Sequence, residues 1–213
     1  MRVRIDRLHY PVTALGPGRR LGIWFQGCTL ACPGCLSRDT WDPEGAMDTT
    51  VSAVLTAATA LCPDGPDGVT ISGGEPFEQP EALASLVAGI RRWSVTLGRD
   101  LDVLAYSGMP LKRLVADHAD LVASLDALIP EPYVAAETPS GAWRGSGNQP
   151  LLVLSELGTD RFRDVPTEPA TMQVAATDGV LWMIGVPRPG DLSRLTDALR
   201  ARGIGLHDVS WRP

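Results

Sequence analysis

Apolar residues follow two different spacings along the chain, and the two alternate. In the clearest helical stretch, which begins at Pro80 and ends at Gly98, apolar residues recur three, four or seven positions apart and so form one face of a helix. Two more helices are predicted over residues 51–61 and 111–125, the second one broken near His118. The short apolar runs between these stretches are typical of buried strands. The predicted strands cover residues 3–10, 21–26, 69–72, 101–106, 128–134 and 151–154.

This alternation of strand and helix favours a parallel sheet with right-handed crossovers. About five such units precede residue 155, which is too few for a closed eight-stranded barrel. We therefore predict an α/β fold, a partial and open parallel β/α barrel, over residues 1–155. Residues 156–213 are predicted to form a small C-terminal ββαβ extension. Its elements are strands over 172–176 and 180–184 joined by a turn at Thr177-Asp178-Gly179, a helix over 191–202 and a strand over 204–211.

Composition and charge narrow the possible partners. The 213 residues are 44% hydrophobic with a net charge of −6. No apolar run approaches the roughly 20 residues that span a bilayer, and the first residues lack the apolar stretch of an export signal, so we expect no membrane association and a cytoplasmic protein. Lys112 is the single lysine and the arginines are scattered, which argues against binding to nucleic acid. A protein or small-molecule partner is favoured.

Three cysteines, Cys28, Cys32 and Cys35, lie close together directly after the second predicted strand. Three thiolates can hold a four-iron cluster and leave one iron open to a small molecule. The spacing also allows zinc, because soft thiolates suit both metals. Zinc would need a fourth ligand, for which the candidates are Cys62, His9, His118 and His207. Cys62 ends an apolar helical run and is expected in the core.

A second motif, Gly73-Gly74-Glu75-Pro76, follows the strand predicted over residues 69–72. Two glycines at a strand end allow the backbone to approach a ligand closely, and the adjacent carboxylate can accept a hydrogen bond from a ligand ammonium. Taken alone, the same four residues are also typical of an ordinary turn between strand and helix.

Together the two motifs resemble those of the radical S-adenosyl-L-methionine enzymes. In that superfamily a CxxxCxxC loop carries a [4Fe–4S] cluster, and a GGE-type motif holds the amino group of S-adenosylmethionine. The resemblance assigns Cys28, Cys32 and Cys35 to the cluster and Gly73, Gly74, Glu75 and Pro76 to S-adenosylmethionine.

Further segments resemble the activating proteins of anaerobic ribonucleotide reductase over about residues 1 to 155. They are Gly16-Pro17-Gly18-Arg19, Trp24-Phe25-Gln26-Gly27-Cys28, Ser72 to Gln79, Ala105-Tyr106-Ser107-Gly108 and Arg144 to Gln149. The chain departs from that family at Pro130-Glu131-Pro132-Tyr133, where an Asp-Gly-Pro-Phe element is usual, and at Ser37, which replaces a common asparagine.

The resemblance implies an enzyme that reductively cleaves S-adenosylmethionine at the cluster to a 5′-deoxyadenosyl radical and so activates a glycyl-radical enzyme. It also implies a flavodoxin- or ferredoxin-like electron donor. Two other functions stay open on the residues alone. One is radical modification of a peptide or small metabolite, and the other is a non-catalytic binding module stabilised by its metal.

Overall fold

The fold is built on a mixed seven-stranded sheet. The computed structural model describes residues 1–45, 47–137, 141–166, 172–177, 179–188, 190–207 and 209. Among these residues the sheet has the order β3-β1-β2-β4-β5-β6-β7. Its strands are β1 (Arg2–Val12), β2 (Arg20–Phe25), β3 (Met47–Thr50), β4 (Gly68–Gly73), β5 (Asp102–Tyr106), β6 (Ala127–Ile129) and β7 (Leu152–Val153).

The four central strands, β2, β4, β5 and β6, run parallel to one another, as the alternation of strand and helix predicts. The outer strands correct the expectation of a wholly parallel sheet, because β1 pairs antiparallel with both β2 and β3, and β7 pairs antiparallel with β6. Residues 13–19, which link β1 to β2, are too few for the crossover that a parallel pair requires. The fold is therefore α/β with a mostly parallel central sheet.

Three helices connect the parallel strands: α1 (Val51–Leu61), α2 (Pro80–Leu97) and α3 (Leu111–Ala123). Their predicted bounds are confirmed to within two residues. Thr50 caps α1 by accepting a hydrogen bond from the Ala53 N–H, and Gly98 ends α2 in the left-handed conformation at φ 64°. His118 has non-helical angles inside α3, which confirms the predicted break.

The helices cover one face of the sheet. Successive residues of a strand point to opposite faces, and in β2 the alternate residues Leu21, Ile23 and Phe25 pack into the main core with the helices. Cys62 is buried in this core, as expected. Trp24, between these residues, points to the other face and packs against Leu15 and Ile184 in a smaller cluster. The candidate site lies on this second face.

Beyond the sheet lie a short helix, α4 (Glu156–Arg161), a hairpin of β8 (Gln173–Thr177) and β9 (Val180–Ile184), and α5 (Asp191–Arg200). The predicted hairpin and helix are confirmed, whereas α4 was not predicted. The strand predicted over 204–211 is not formed by residues 204–207 and 209, the part of it that the structure describes. Ile204 is exposed there and Leu206 is only half-buried, so the apolar residues of this segment are less buried than those that stabilise the strands of the sheet. The division of the chain near residue 155 stays a prediction.

The described helices include none that is both long enough and apolar enough to cross a membrane.

A buried ion pair fixes the amino ends of the central strands. Arg20, at the start of β2, lies 2.6 Å from the carboxylate of Asp102 at the start of β5, and both side chains are shielded from solvent. Arg20 also donates to Thr70 Oγ1 at 2.6 Å and to the Val69 carbonyl at 2.8 Å in β4, the strand between them. One guanidinium therefore bridges three strands.

Replacing Arg20 by methionine should lower the free energy of unfolding by about 3–5 kcal/mol, because the Asp102 carboxylate would stay buried without its partner. Urea unfolding of the apoprotein measures this. Arg113→Met is the matched control: it breaks the exposed pair with Asp117 and should cost less than about 1 kcal/mol. Equal costs for the two variants would contradict the assigned role of Arg20.

Candidate active site

One cavity of about 800 Å³ gathers most of the residues that the two motifs single out. It lies at the carboxyl ends of β2, β4 and β5, where α/β folds place their ligands. Its lining includes Cys28, Cys32, Cys35, Gly73, Gly74 and Glu75. Pro76, the remaining residue of the second motif, is buried just behind them and begins a single 3-10 turn over Pro76–Glu78.

The cysteine loop, residues 27–41, follows β2, and its last residues return to bond with its first residues. The Gly27 N–H donates to the Thr40 carbonyl at 2.8 Å, and the Cys28 N–H donates to the Trp41 carbonyl at 3.0 Å. The buried Gln26 side chain holds the far end of the loop, since its Nε2 donates to the carbonyl of Asp39 at 2.9 Å. The cysteines are therefore carried on a loop whose two ends are fastened together.

A second set of contacts joins this loop to the residues after the Gly-Gly-Glu-Pro motif. The Glu78 carboxylate accepts hydrogen bonds from the Thr29 N–H at 3.0 Å and from the Thr29 hydroxyl. Gln79 accepts from the Arg4 N–H at 2.8 Å and donates to the Gln26 carbonyl at 3.1 Å. These two side chains thus satisfy backbone groups of other segments: Glu78 holds the cysteine loop, and Gln79 holds β1 and the residue just before that loop.

The two glycines make a closer approach possible than any other residue would allow. A Cβ on Gly73 would lie 2.3 Å from the Phe25 carbonyl oxygen, and one on Gly74 would lie 2.2 Å from the Gly27 carbonyl oxygen. Both obstacles are backbone atoms, which cannot move aside as a flexible side chain can. Gly73 also has φ +108°, where side chains are strained. The glycines therefore allow the backbone at Phe25 and Gly27 to pack directly against them, and they also line the cavity.

Glu75 is fully buried, and its carboxylate joins the ends of two strands. One oxygen accepts hydrogen bonds from the Phe77 N–H and the Ser107 hydroxyl, each at 3.0 Å. The other accepts from the Gly108 N–H at 2.7 Å, just after β5. Since a carboxylate offers about four acceptor positions, roughly one stays available to a ligand in the cavity. Burial raises the pKa of Glu75 to about 7, against the lowering effect of these three donors.

The cysteine thiols are free, and all three are half-buried. Burial raises the pKa of Cys28, and the nearby carboxylates of Glu75 and Glu78 add to the effect, while hydrogen bonds from backbone N–H groups oppose it. Among the described residues no three His, Cys, Asp or Glu side chains converge as the ligands of a single metal ion. A four-iron cluster places each thiolate on a different iron, and three free thiols facing one cavity are the donor set that such a cluster uses.

The segment that departs from the family pattern, Pro130 to Tyr133, lies beside the cysteine loop. A Cβ on Gly34 would be 3.7 Å from the Tyr133 ring, which also lines the cavity. The Gln149 side chain donates to the Glu131 carbonyl at 2.8 Å, and Asn148 donates to the Pro132 carbonyl at 2.8 Å. The Arg144 to Gln149 segment therefore holds this part of the wall in place.

Comparison with known proteins finds an iron–sulfur family over the region that contains these site residues. A family described as the 4Fe–4S single cluster domain matches residues 14–152. Because that match covers well over half of the chain, this protein belongs to the 4Fe–4S single cluster domain family. The cysteine loop, the two glycines and Glu75 all lie inside the matched region.

The similar proteins include activating proteins of anaerobic ribonucleoside-triphosphate reductase and of pyruvate formate-lyase. The anaerobic ribonucleoside-triphosphate reductase-activating protein of Enterobacteria phage T4 is 26% identical over 148 residues, which are 68% of this chain and 91% of that protein. Its namesake from Escherichia coli K12 is 29% identical over 150 residues, 66% of this chain and 93% of the relative. The pyruvate formate-lyase-activating enzyme of Clostridium pasteurianum is 32% identical over 110 residues, 50% of this chain and 45% of that enzyme.

These findings confirm the resemblance to the radical S-adenosylmethionine activating proteins. They likewise support an enzyme whose cofactors are a [4Fe–4S] cluster and S-adenosylmethionine. The sequence did not reveal the contact of Ser107 with Glu75, since 32 residues separate the two. The signals for Ser107 were the polar Ser-Gly pair after an apolar strand and the family resemblance of the segment Ala105-Tyr106-Ser107-Gly108, and neither identified Glu75 as its partner.

Replacing Glu75 by glutamine should change how stability depends on pH. The folded protein holds the Glu75 proton up to about pH 7, whereas the ordinary pKa is 4.5. The stabilisation from protonation is therefore fully present below pH 4.5 and is lost as the pH rises toward 7. As the pH rises from about 5.5 to about 8, the free energy of unfolding of the wild-type apoprotein should fall by about 2 kcal/mol relative to that of Glu75→Gln.

Urea unfolding at the two pH values measures this difference. Glu81→Gln, at an exposed position of α2, is the matched control and should keep the wild-type pH dependence. A difference between Glu75→Gln and wild type that does not vary with pH would contradict the raised pKa.

Proposed function

We propose that this protein is a radical S-adenosylmethionine activating enzyme, which reductively cleaves S-adenosylmethionine at a [4Fe–4S] cluster and activates a glycyl-radical enzyme such as anaerobic ribonucleotide reductase. The observation that carries the proposal is a single cavity lined by the three cysteines and by Gly73, Gly74 and Glu75. The family match and the names of the relatives support it.

In this proposal Cys28, Cys32 and Cys35 are the cluster ligands. When bound, the cluster would pass one electron from the donor protein to S-adenosylmethionine, which would supply the 5′-deoxyadenosyl radical that removes a hydrogen atom from the substrate. The chain itself fixes the cysteine loop through Gln26 and Glu78, so that three thiols face the cavity from a braced loop.

Gly73, Gly74, Glu75 and Pro76 are proposed to bind S-adenosylmethionine. The position left on the Glu75 carboxylate suits a hydrogen bond from the ligand's ammonium group, and a carboxylate held by three other donors cannot swing away from it. The cluster-side lining also carries uncharged donors and acceptors, such as Ser107 and Gln149.

We further infer that the central sheet is the wall of an open barrel whose concave side faces this cavity, with residues 1–155 as the catalytic core. A flavodoxin- or ferredoxin-like protein is the proposed electron donor. A cytoplasmic location follows from the free thiols, which need a reducing compartment.

Replacing any one of the three loop cysteines by alanine should remove the iron–sulfur absorption of anaerobically reconstituted protein and abolish the formation of 5′-deoxyadenosine with dithionite. Cys62→Ala is the matched control, because Cys62 is buried in the main core away from the cavity, and it should keep both properties. A Cys32→Ala variant that still forms 5′-deoxyadenosine would overturn the ligand assignment.

The substrate is tested separately. A candidate reductase subunit labelled with deuterated glycine should transfer deuterium into 5′-deoxyadenosine and show the electron paramagnetic resonance signal of a glycyl radical. Cleavage of S-adenosylmethionine without deuterium transfer would leave the radical chemistry standing and reject that subunit as the substrate.

A further inference from the structure

The C-terminal hairpin lines the same cavity as the cysteine loop. Leu181, Trp182, Met183 and Ile184 of β9 all contribute to the lining that includes Cys28, Cys32 and Cys35. The parts of the lining differ in chemistry. The cysteine loop and the strand ends supply the thiols, backbone groups and Glu75, whereas the hairpin supplies mainly apolar and aromatic side chains.

The hairpin is anchored to the core at three points. The Gln173 side chain accepts a hydrogen bond from the Thr13 N–H at 2.9 Å and donates to the Pro11 carbonyl at 2.6 Å, which ties β8 to the end of β1. Ile184, only 5% exposed, packs against Trp24 and its neighbours on the second face of the sheet.

The third anchor is an arginine between two tryptophan rings. The Arg7 guanidinium carbon lies 4.8 Å from the centre of the Trp182 ring and 5.7 Å from that of Trp24. Its charge is met by Asp6, 2.9 Å away, and by Asp39 of the cysteine loop, 3.2 Å away. The stack therefore connects hairpin, sheet and cysteine loop, and such cation–π contacts stabilise most where water is displaced.

The hairpin lies beyond the family match, and the relatives have few residues outside their alignments that could correspond to it. The family match ends at residue 152, before α4 and the hairpin. The phage and bacterial activating proteins are covered over 91% and 93% of their own length, while about a third of this chain lies outside those alignments.

The size of the cavity limits what can share it. A volume of about 800 Å³ is within the range of about 300–1,000 Å³ typical of a pocket for one small molecule. On the proposed function it must hold the cluster, S-adenosylmethionine and the reacting end of the substrate. Little room is left for a bulky group beside them.

We infer that the β8–β9 hairpin is the substrate-side wall of this cavity and that Trp182 and Ile184 are specificity-determining residues, which admit a slender extended peptide segment and exclude a folded protein surface. This inference rests on the proposed function for the identity of the ligands. The wall itself rests on the anchoring contacts alone.

The test measures access to the loop cysteines in the full-length apoprotein. Reduced protein is treated with N-ethylmaleimide or with a maleimide attached through a short linker to a small folded protein, and the rates at Cys28, Cys32 and Cys35 are followed by mass spectrometry. In wild type the bulky reagent should react far more slowly than the small one.

Ile184→Ala and Trp182→Ala should each raise the ratio of bulky to small reagent rates at least about tenfold, because truncating a packed apolar anchor favours the open arrangement by more than that factor. Val174→Ala, on the exposed face of the same hairpin, is the matched control and should leave the ratio unchanged. Trp182→Phe, which keeps an aromatic ring beside Arg7, should restore most of the wild-type ratio.

Equal rates for the two reagents in wild type, or ratios in the two alanine variants that match wild type, would overturn the inference. A general loss of folding is recognised by a rise in the reactivity of the buried Cys62, which the inferred opening does not expose. Formation of 5′-deoxyadenosine by wild type without substrate tests the proposed function independently, so the two failures are distinguishable.

Discussion

The site depends on the contact between the end of β4 and the end of β2. Two backbone hydrogen bonds make it: the Gly74 N–H donates to the Phe25 carbonyl at 2.8 Å, and the Glu75 N–H donates to the Gly27 carbonyl at 2.9 Å. The backbones meet at a distance that leaves no space for a Cβ. This contact continues the parallel pairing of β2 with β4 and holds the start of the cysteine loop against the Gly-Gly-Glu-Pro segment, so that the two motifs share a cavity.

Polar groups hold the central strands at both ends, and they do so in different ways. At the amino ends, the buried Asp102 carboxylate is paired with the Arg20 guanidinium, which donates to both of its oxygens and so balances its charge. At the carboxyl ends, Glu75 is buried with three neutral donors and no cation among its described contacts. A buried carboxylate without a counter-ion favours binding of a positively charged group, which is what the amino end of S-adenosylmethionine would provide.

In the proposed function, the region shared with the relatives and the C-terminal hairpin have different roles. The region shared with the relatives contains the thiols, the glycines and Glu75, the groups that would bind the cofactors. The hairpin beyond it contributes the apolar side chains of Trp182 and Ile184 to the same cavity. A reaction centre shared with the relatives, combined with a cavity wall outside the shared region, would keep the radical chemistry and change which substrate shapes can reach it.

The sequence by itself determined most of the elements, though not β3 or α4, and the candidate chemistry of the site. The spacing of apolar residues is a local property, so α1, α2, the parallel strands and α3 with its break at His118 could be predicted. The spacing of Cys28, Cys32 and Cys35 is likewise a property of one short loop. Only the tertiary structure decided the antiparallel outer strands, the bond between Glu75 and Ser107, and the position of Trp182 beside Arg7. Each of these joins residues far apart in the chain, and which distant backbone or ring meets which side chain is set by packing, for which a single sequence carries no local pattern.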